Sequence, residues 1–242
     1  MSNAAGLLGR FTLLVGFIAA VMILGAGPAY RFAHVDLGLA FTSLKWGSFV
    51  ALGTGAVAVL WVIVALVSRS AQGLMAVILG LILAGSIYVP LQMKAKAEAV
   101  PMIHDITTDT GNPPPFVALL AARKEAPNGA DYDTATTADQ QKAFADIQSF
   151  LSDKPPAEVF EKAKKVATDM GWEIAAAEAA EGRIEATDTT MWFGFKDDIV
   201  IRIAAAGTGS KLDIRSMSRV GKSDLGKNAA RIRDFLARLK AA

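Results

Sequence analysis

Asp198 to Arg219 reads DIVIRIAAAGTGSKLDIRSMSR, and this stretch decides the fold of the C-terminal half. Ile199, Ile201 and Ile203 alternate with Val200, Arg202 and Ala204, the period-two pattern of a half-buried strand. Gly207-Thr208-Gly209-Ser210 has the composition of a hairpin turn, better than that of a phosphate loop. The spacing therefore predicts a hairpin of Asp198–Ala206 with Lys211–Arg219. Upstream, Trp172–Ala179 and Arg183–Thr190 read as a second hairpin across Glu181-Gly182, with Met191–Phe195 extending the sheet. Pro155-Pro156 opens a helix whose Val159, Phe160, Ala163, Val166, Ala167 and Met170 share a face, and Gly171 stops it. Leu225–Lys240 reads as a closing helix with Leu225, Ala229, Ile232, Leu236 and Leu239 turned inward. The expected class is α+β, an antiparallel sheet with helices packed on one face. Trp172, Trp192, Phe193 and Phe195 are expected in the core.

Residues 98–150 carry fewer regular signals. Asn112-Pro113-Pro114-Pro115 cannot continue a helix, Asp131-Tyr132-Asp133 reads as loop, and Ala138–Phe150 can form one short helix. This stretch is expected to be an extended connection that wraps the domain of residues 151–242.

Residues 1–97 read as a three-helix transmembrane anchor. Phe11–Gly27, Phe49–Val67 and Gly73–Val89 contain no charged residue, and each is roughly long enough to cross a hydrocarbon core. Arg10, Arg31, Arg69, Pro90, Lys94 and Lys96 bound them. Leu13–Leu24 also fits the short apolar region of a secretory signal. Ala76, Gly80 and Ala84, Ala51 with Gly55, and Gly16 with Ala20 recur at four-residue spacing, so backbones can approach closely within the bundle or in an oligomer. Without an ionisable side chain in a span, ion or proton transport is not expected. The excess of Arg and Lys beside the spans places the C-terminal domain in the cytoplasm by a narrow margin.

The chain has no cysteine, which excludes a disulfide framework, a thiolate zinc site and a thiol nucleophile. Its net charge of +2 gives nucleic-acid binding no support. No cofactor, metal site or catalytic residue is assigned. His34 and His104 are the two histidines of the chain, so a Ser–His–Asp arrangement would require His104 to meet a distant serine. The chemistry concentrates in Arg215–Asn228, RSMSRVGKSDLGKN. Arg215 and Arg219 lie an even number of residues apart on one strand and so share a face. With Ser216, Ser218 and Ser223 they form a candidate anion-binding or docking group. The structural alternative pairs Arg215 or Arg219 with Asp197-Asp198 in the neighbouring strand, while Asp224 caps the last helix.

Phe195-Lys196-Asp197-Asp198 with Ile199–Ile203, Asp213-Ile214-Arg215-Ser216 through Asn228, Arg231-Ile232, Gly182–Thr190 and Gly171-Trp172 together resemble the domain-of-unknown-function 1499 family. The likeness covers most of residues 100–242, and the three-helix front resembles a bacterial subset of that family. Other members carry secretory or lipoprotein signals, and plant relatives are directed to the thylakoid lumen. The resemblance thus implies a domain outside the cytoplasm, against the charge count, and brings no established activity. The expectation is an uncharacterised protein of the bacterial inner membrane, multi-pass, with a periplasmic, non-enzymatic binding or assembly domain. Its expected partners are membrane lipid and an envelope protein or anionic headgroup, with no nucleic acid. The alternatives are an accessory protein holding an anionic lipid or small anion at the Arg/Ser-rich turn, and a hydrolase.

Overall fold

The computed structural model describes residues 2–67 and 72–241, so Arg69, expected to bound the second apolar segment, lies outside the described residues. Two compact units emerge, one of residues 1–95 with 192–194 and one of residues 96–191 with 195–242.

The first unit is helical. Helix α1 spans Ser2–Leu24, and after Gly25 the chain continues as α2, Ala26–Ala33, at 53° to it. His34, in the left-handed conformation, ends α2. Helices α3 (Leu37–Val67) and α4 (Gln72–Ala99) follow. Among the described residues two helices are long and apolar enough to cross a membrane, or up to three if the bent pair α1–α2 is one span. Pro90 does not end the third apolar segment; α4 runs through it to Ala99. Some of the small residues do allow close packing. A Cβ at Gly16 would lie 2.6 Å from Leu79 Cδ1, whereas Gly55 and Gly80 face nothing within 4 Å.

The second unit is the expected antiparallel sheet. Its strands are β1 (Asp105–Thr107), β2 (Phe150–Ser152), β3 (Glu173–Glu178), β4 (Arg183–Thr189), β5 (Lys196–Ala206) and β6 (Gly209–Ser218). Their order is β1-β6-β5-β4-β3, with β2 pairing the same β6 further along. Both long hairpins therefore form where the alternation places them. The β5–β6 turn is tighter than expected: Gly209 pairs Ala206, so Ser210 belongs to β6 and is buried. Met191–Phe195 form a turn, a correction to the extra strand expected there. Gly194 takes a positive φ of 69° in this turn, and Phe195 N–H donates to Thr190 Oγ1, which closes it.

Helices α7 (Pro156–Asp169) and α8 (Lys227–Ala241) cover one sheet face. Val159, Phe160, Ala163, Ile232, Phe235 and Leu236 meet Ile184, Ile199, Ile201, Leu212 and Ile214 there in one core. Trp172 joins it, stacked on Phe235 at 5.4 Å. The opposite face is not left to water. Short helices α5 (Leu120–Lys124) and α6 (Thr137–Ala143) lie within the intervening segment, and Phe116 and Leu119 pack on Val200 and Met217 of that face. The alternation of polar and apolar residues on β4, β5 and β6 thus separates two buried faces, one mostly apolar with an ionic cluster at Arg231 and one largely ionic.

Candidate functional site

The alternation decides where each candidate side chain goes. On β6, Leu212, Ile214 and Ser216 turn toward the helices, while Asp213, Arg215 and Met217 turn toward the segment that covers the other face. Arg215 and Arg219 do share a face, as their spacing requires. Ser216 and Ser218 occupy the other one, bonded to Asn228 of α8. The Arg/Ser group is therefore divided across the sheet rather than gathered into one surface patch.

Arg215 is buried, and its partner is Asp105 of β1 rather than Asp197 or Asp198. Its Nε lies 2.9 Å from Asp105 Oδ1, and its second terminal nitrogen lies 2.7 Å from Oδ2. The guanidinium also donates to the carbonyls of Pro114 and Ala130 and lies over the rings of Phe116 and Tyr132. Burial pushes the Tyr132 hydroxyl pKa above its ordinary value.

Arg219 pairs with Asp198 of the neighbouring strand. Nε and Nη2 each lie 2.9 Å from Asp198, one on each carboxylate oxygen. Asp198 also accepts from Thr187 Oγ1 and from Arg123, a guanidinium with no exposed surface. Arg123 in turn donates to the carbonyls of Gly129, Met217 and Ser218 and lies over the Phe116 ring. Two guanidiniums on one buried carboxylate are tolerated because these carbonyls and the ring take up the excess positive charge.

The helix-facing side has its own centre. Arg231 of α8 donates to Asp188 and Asp197, both at 2.6 Å, and to Ser216 Oγ and Asn228 Oδ1. Asn228 Nδ2 reaches the His104 carbonyl and Ser218 Oγ. Asp197 and Asp198, adjacent in sequence, thus serve opposite faces of β5. Asp224 accepts from the N–H groups of Gly226 and Asn228 and so caps the start of α8. Burial raises its carboxyl pKa above the ordinary aspartate value despite those bonds. The helix begins at Lys227 rather than Leu225, because Leu225 (φ 55°) and Gly226 (φ 77°) are left-handed and form the loop that presents these N–H groups. Ser223 accepts from Leu225 N–H and stays half-buried.

Sequence reasoning missed Asp105, Arg123 and Glu185, and gave Arg231 and Asn228 no role. Glu185 has no exposed surface; its carboxylate accepts the N–H groups of Val117, Ala118 and Leu119, pinning the covering segment to β4. The available signal for Glu185 lay in the alternation Ile184-Glu185-Ala186-Thr187, which puts a carboxylate on the face away from the helices. Among the described residues no buried side-chain nitrogen or oxygen lacks a hydrogen-bond partner. Among the same residues, no three histidine or carboxylate side chains converge as a metal-binding group.

Asp105 to Arg231, the whole ionic arrangement, lies within one matched segment. Residues 105–239 match the family described as "Protein of unknown function (DUF1499)". No curated protein matches the chain. The matched segment is more than half of the 242 residues, and the chain belongs to the DUF1499 family.

Proposed function

We propose that this chain is a non-enzymatic binding or assembly protein of the bacterial inner membrane, with its α+β domain held in the periplasm by the N-terminal helices. One observation carries the reading: the ionic residues of the family motif are bonded to one another. Arg215 is bound by Asp105, Arg219 and Arg123 by Asp198, and Arg231 by Asp188 and Asp197. Charges committed in this way hold a rigid sheet in register and leave recognition to the domain's outer surfaces. The apolar helices support the anchoring, and the family resemblance supports a site outside the cytoplasm.

A second reading retains the anion site at the Arg/Ser-rich turn. Its support is that Arg219 and Ser223, unlike Arg215, Ser216 and Ser218, keep part of their surface exposed.

Topology tests the proposed location. Thr208 is exposed at the tip of the β5–β6 turn, and the chain has no cysteine, so Thr208→Cys supplies one probe on a clean background. A thiol reagent that cannot cross the inner membrane should label intact cells, with lysed cells as the accessibility control. Labelling only after lysis would place the domain in the cytoplasm and overturn this part of the reading.

A further inference from the structure

Basic side chains on the helical layer are mostly matched by acids. Lys165 faces Asp169, Arg238 faces Asp234 and Arg233 faces Asp146. Lys164 and Lys227 stand apart on the exposed surface, whereas three lysines gather where β2, the start of α7 and the end of α8 meet around an open cleft of about 280 Å³. Lys154, Lys162 and Lys240 line it, over an apolar floor that includes Phe150, Val159 and Leu239. Among the described residues neither Lys154 nor Lys240 has a carboxylate partner, and Lys162 is held by Glu158 only at 3.5 Å. Asp153 also lines the cleft, so its three lysines and one aspartate sum to +2, which the Glu158 beside Lys162 reduces to +1.

We infer that this cleft is a binding site for a phosphate monoester carried on an apolar body. A phosphate monoester carries about −1.5 to −2 charges near pH 7, opposite in sign to the lining. Lysine suits it: an ammonium acts as a point charge with rotatable donors and needs no fixed fork. The floor supplies the apolar half of the contact, and the volume is close to the lower end of ligand clefts, about 300 Å³. The site lies outside the Arg/Ser-rich motif, and the inference goes beyond the binding-module reading by naming a place and a ligand class. The ligand can be the monoester headgroup of a phosphatidic acid or a soluble phosphate monoester with an apolar body, since both present the same dianion.

The test uses the full chain in zwitterionic phosphatidylcholine nanodiscs, titrated calorimetrically with dihexanoyl-phosphatidic acid and separately with glycerol 3-phosphate. Saturable binding is expected, weakening as salt screens the lysines. The variant Lys154→Gln/Lys240→Gln should bind at least about tenfold more weakly. Leu151→Glu, at an exposed side chain of the cleft, should weaken binding with all three lysines intact. Lys164→Gln/Lys227→Gln, at exposed lysines outside the cleft, should leave affinity unchanged. Tighter binding of the dihexanoyl lipid supports a phosphate monoester carried on an apolar body; equal affinities would show that the apolar floor adds nothing and would overturn that half of the inference. The inference is overturned if neither probe saturates, or if both lysine double variants lose affinity equally, which would mean diffuse surface charge. An unchanged unfolding temperature in each variant confirms that binding alone is being read.

Discussion

Arg215 of β6 and Asp105 of β1 form a forked ion pair with side chains 3% and 1% exposed. The two residues are 110 positions apart in sequence. The pair fastens the first strand of the domain to the hairpin that carries the family motif. A buried pair of this kind adds little over a well-packed apolar pair, but breaking one side of it is costly, about 3–5 kcal/mol.

Arg215→Ala should therefore destabilise the domain by about 3–5 kcal/mol. Arg233→Ala breaks an ion pair of similar length whose side chains are 44% and 57% exposed. It should cost no more than about 1 kcal/mol. Hydrogen exchange of the β5 and β6 amides in the full chain reads both; equal effects would contradict the ranking.

Arg231→Lys keeps the charge and loses the fork. One ammonium cannot serve Asp188, Asp197, Ser216 and Asn228 from the positions the guanidinium occupies. A buried acceptor left unmet costs about 1–3 kcal/mol, so this conservative change should lower the unfolding temperature clearly. Wild-type stability in the variant would show that the fork is dispensable.

Gly182→Ala should be severe, and Gly207→Asn mild. Both glycines have positive φ, 62° and 58°. At Gly182 an added Cβ would stand 2.0 Å from the Ile203 carbonyl oxygen, whereas at Gly207 nothing lies within 4 Å. The left-handed conformation alone costs a side chain roughly 1–2 kcal/mol, and asparagine tolerates it better than most. Thermal unfolding of the two variants compares them directly.

Hydrogen bonding from Arg233 holds the Asp146 carboxyl below its ordinary pKa. A carboxyl depressed in the fold stabilises it above the unfolded pKa of about 3.9, and that contribution disappears as pH falls through the lowered folded value. Asp146→Asn should thus cost up to about 1 kcal/mol at neutral pH and nothing once the carboxyl is protonated. Urea titrations at neutral and strongly acidic pH give the two values.

The helices and hairpins of the second unit were legible because each rests on local pattern. Ile199, Ile201 and Ile203 face α7 and α8, and Pro156 and Gly171 bound the helix they were expected to bound. The ionic layer was not legible in the same way. Arg123 and Asp105 sit in stretches without periodicity, and their partners are fixed by strand order, which sequence spacing does not encode. Asp197-Asp198 shows both sides of this. Alternation sends the two carboxylates to opposite faces, but only the fold reveals Arg231 waiting on one and Arg123 on the other. At Leu225 the apolar period continued past the true helix start, because a left-handed loop put the cap ahead of it.

The central claim is that the Arg/Ser-rich motif spends its charge on the fold. The most direct test is a double-mutant cycle of Arg215→Met and Asp105→Leu in the full chain, read by hydrogen exchange of the sheet amides. Each single variant should lose about 3–5 kcal/mol, and the double variant should recover most of that loss because no unpaired buried charge remains. Full stability in Arg215→Met alone, or losses that simply add in the double variant, would contradict the account.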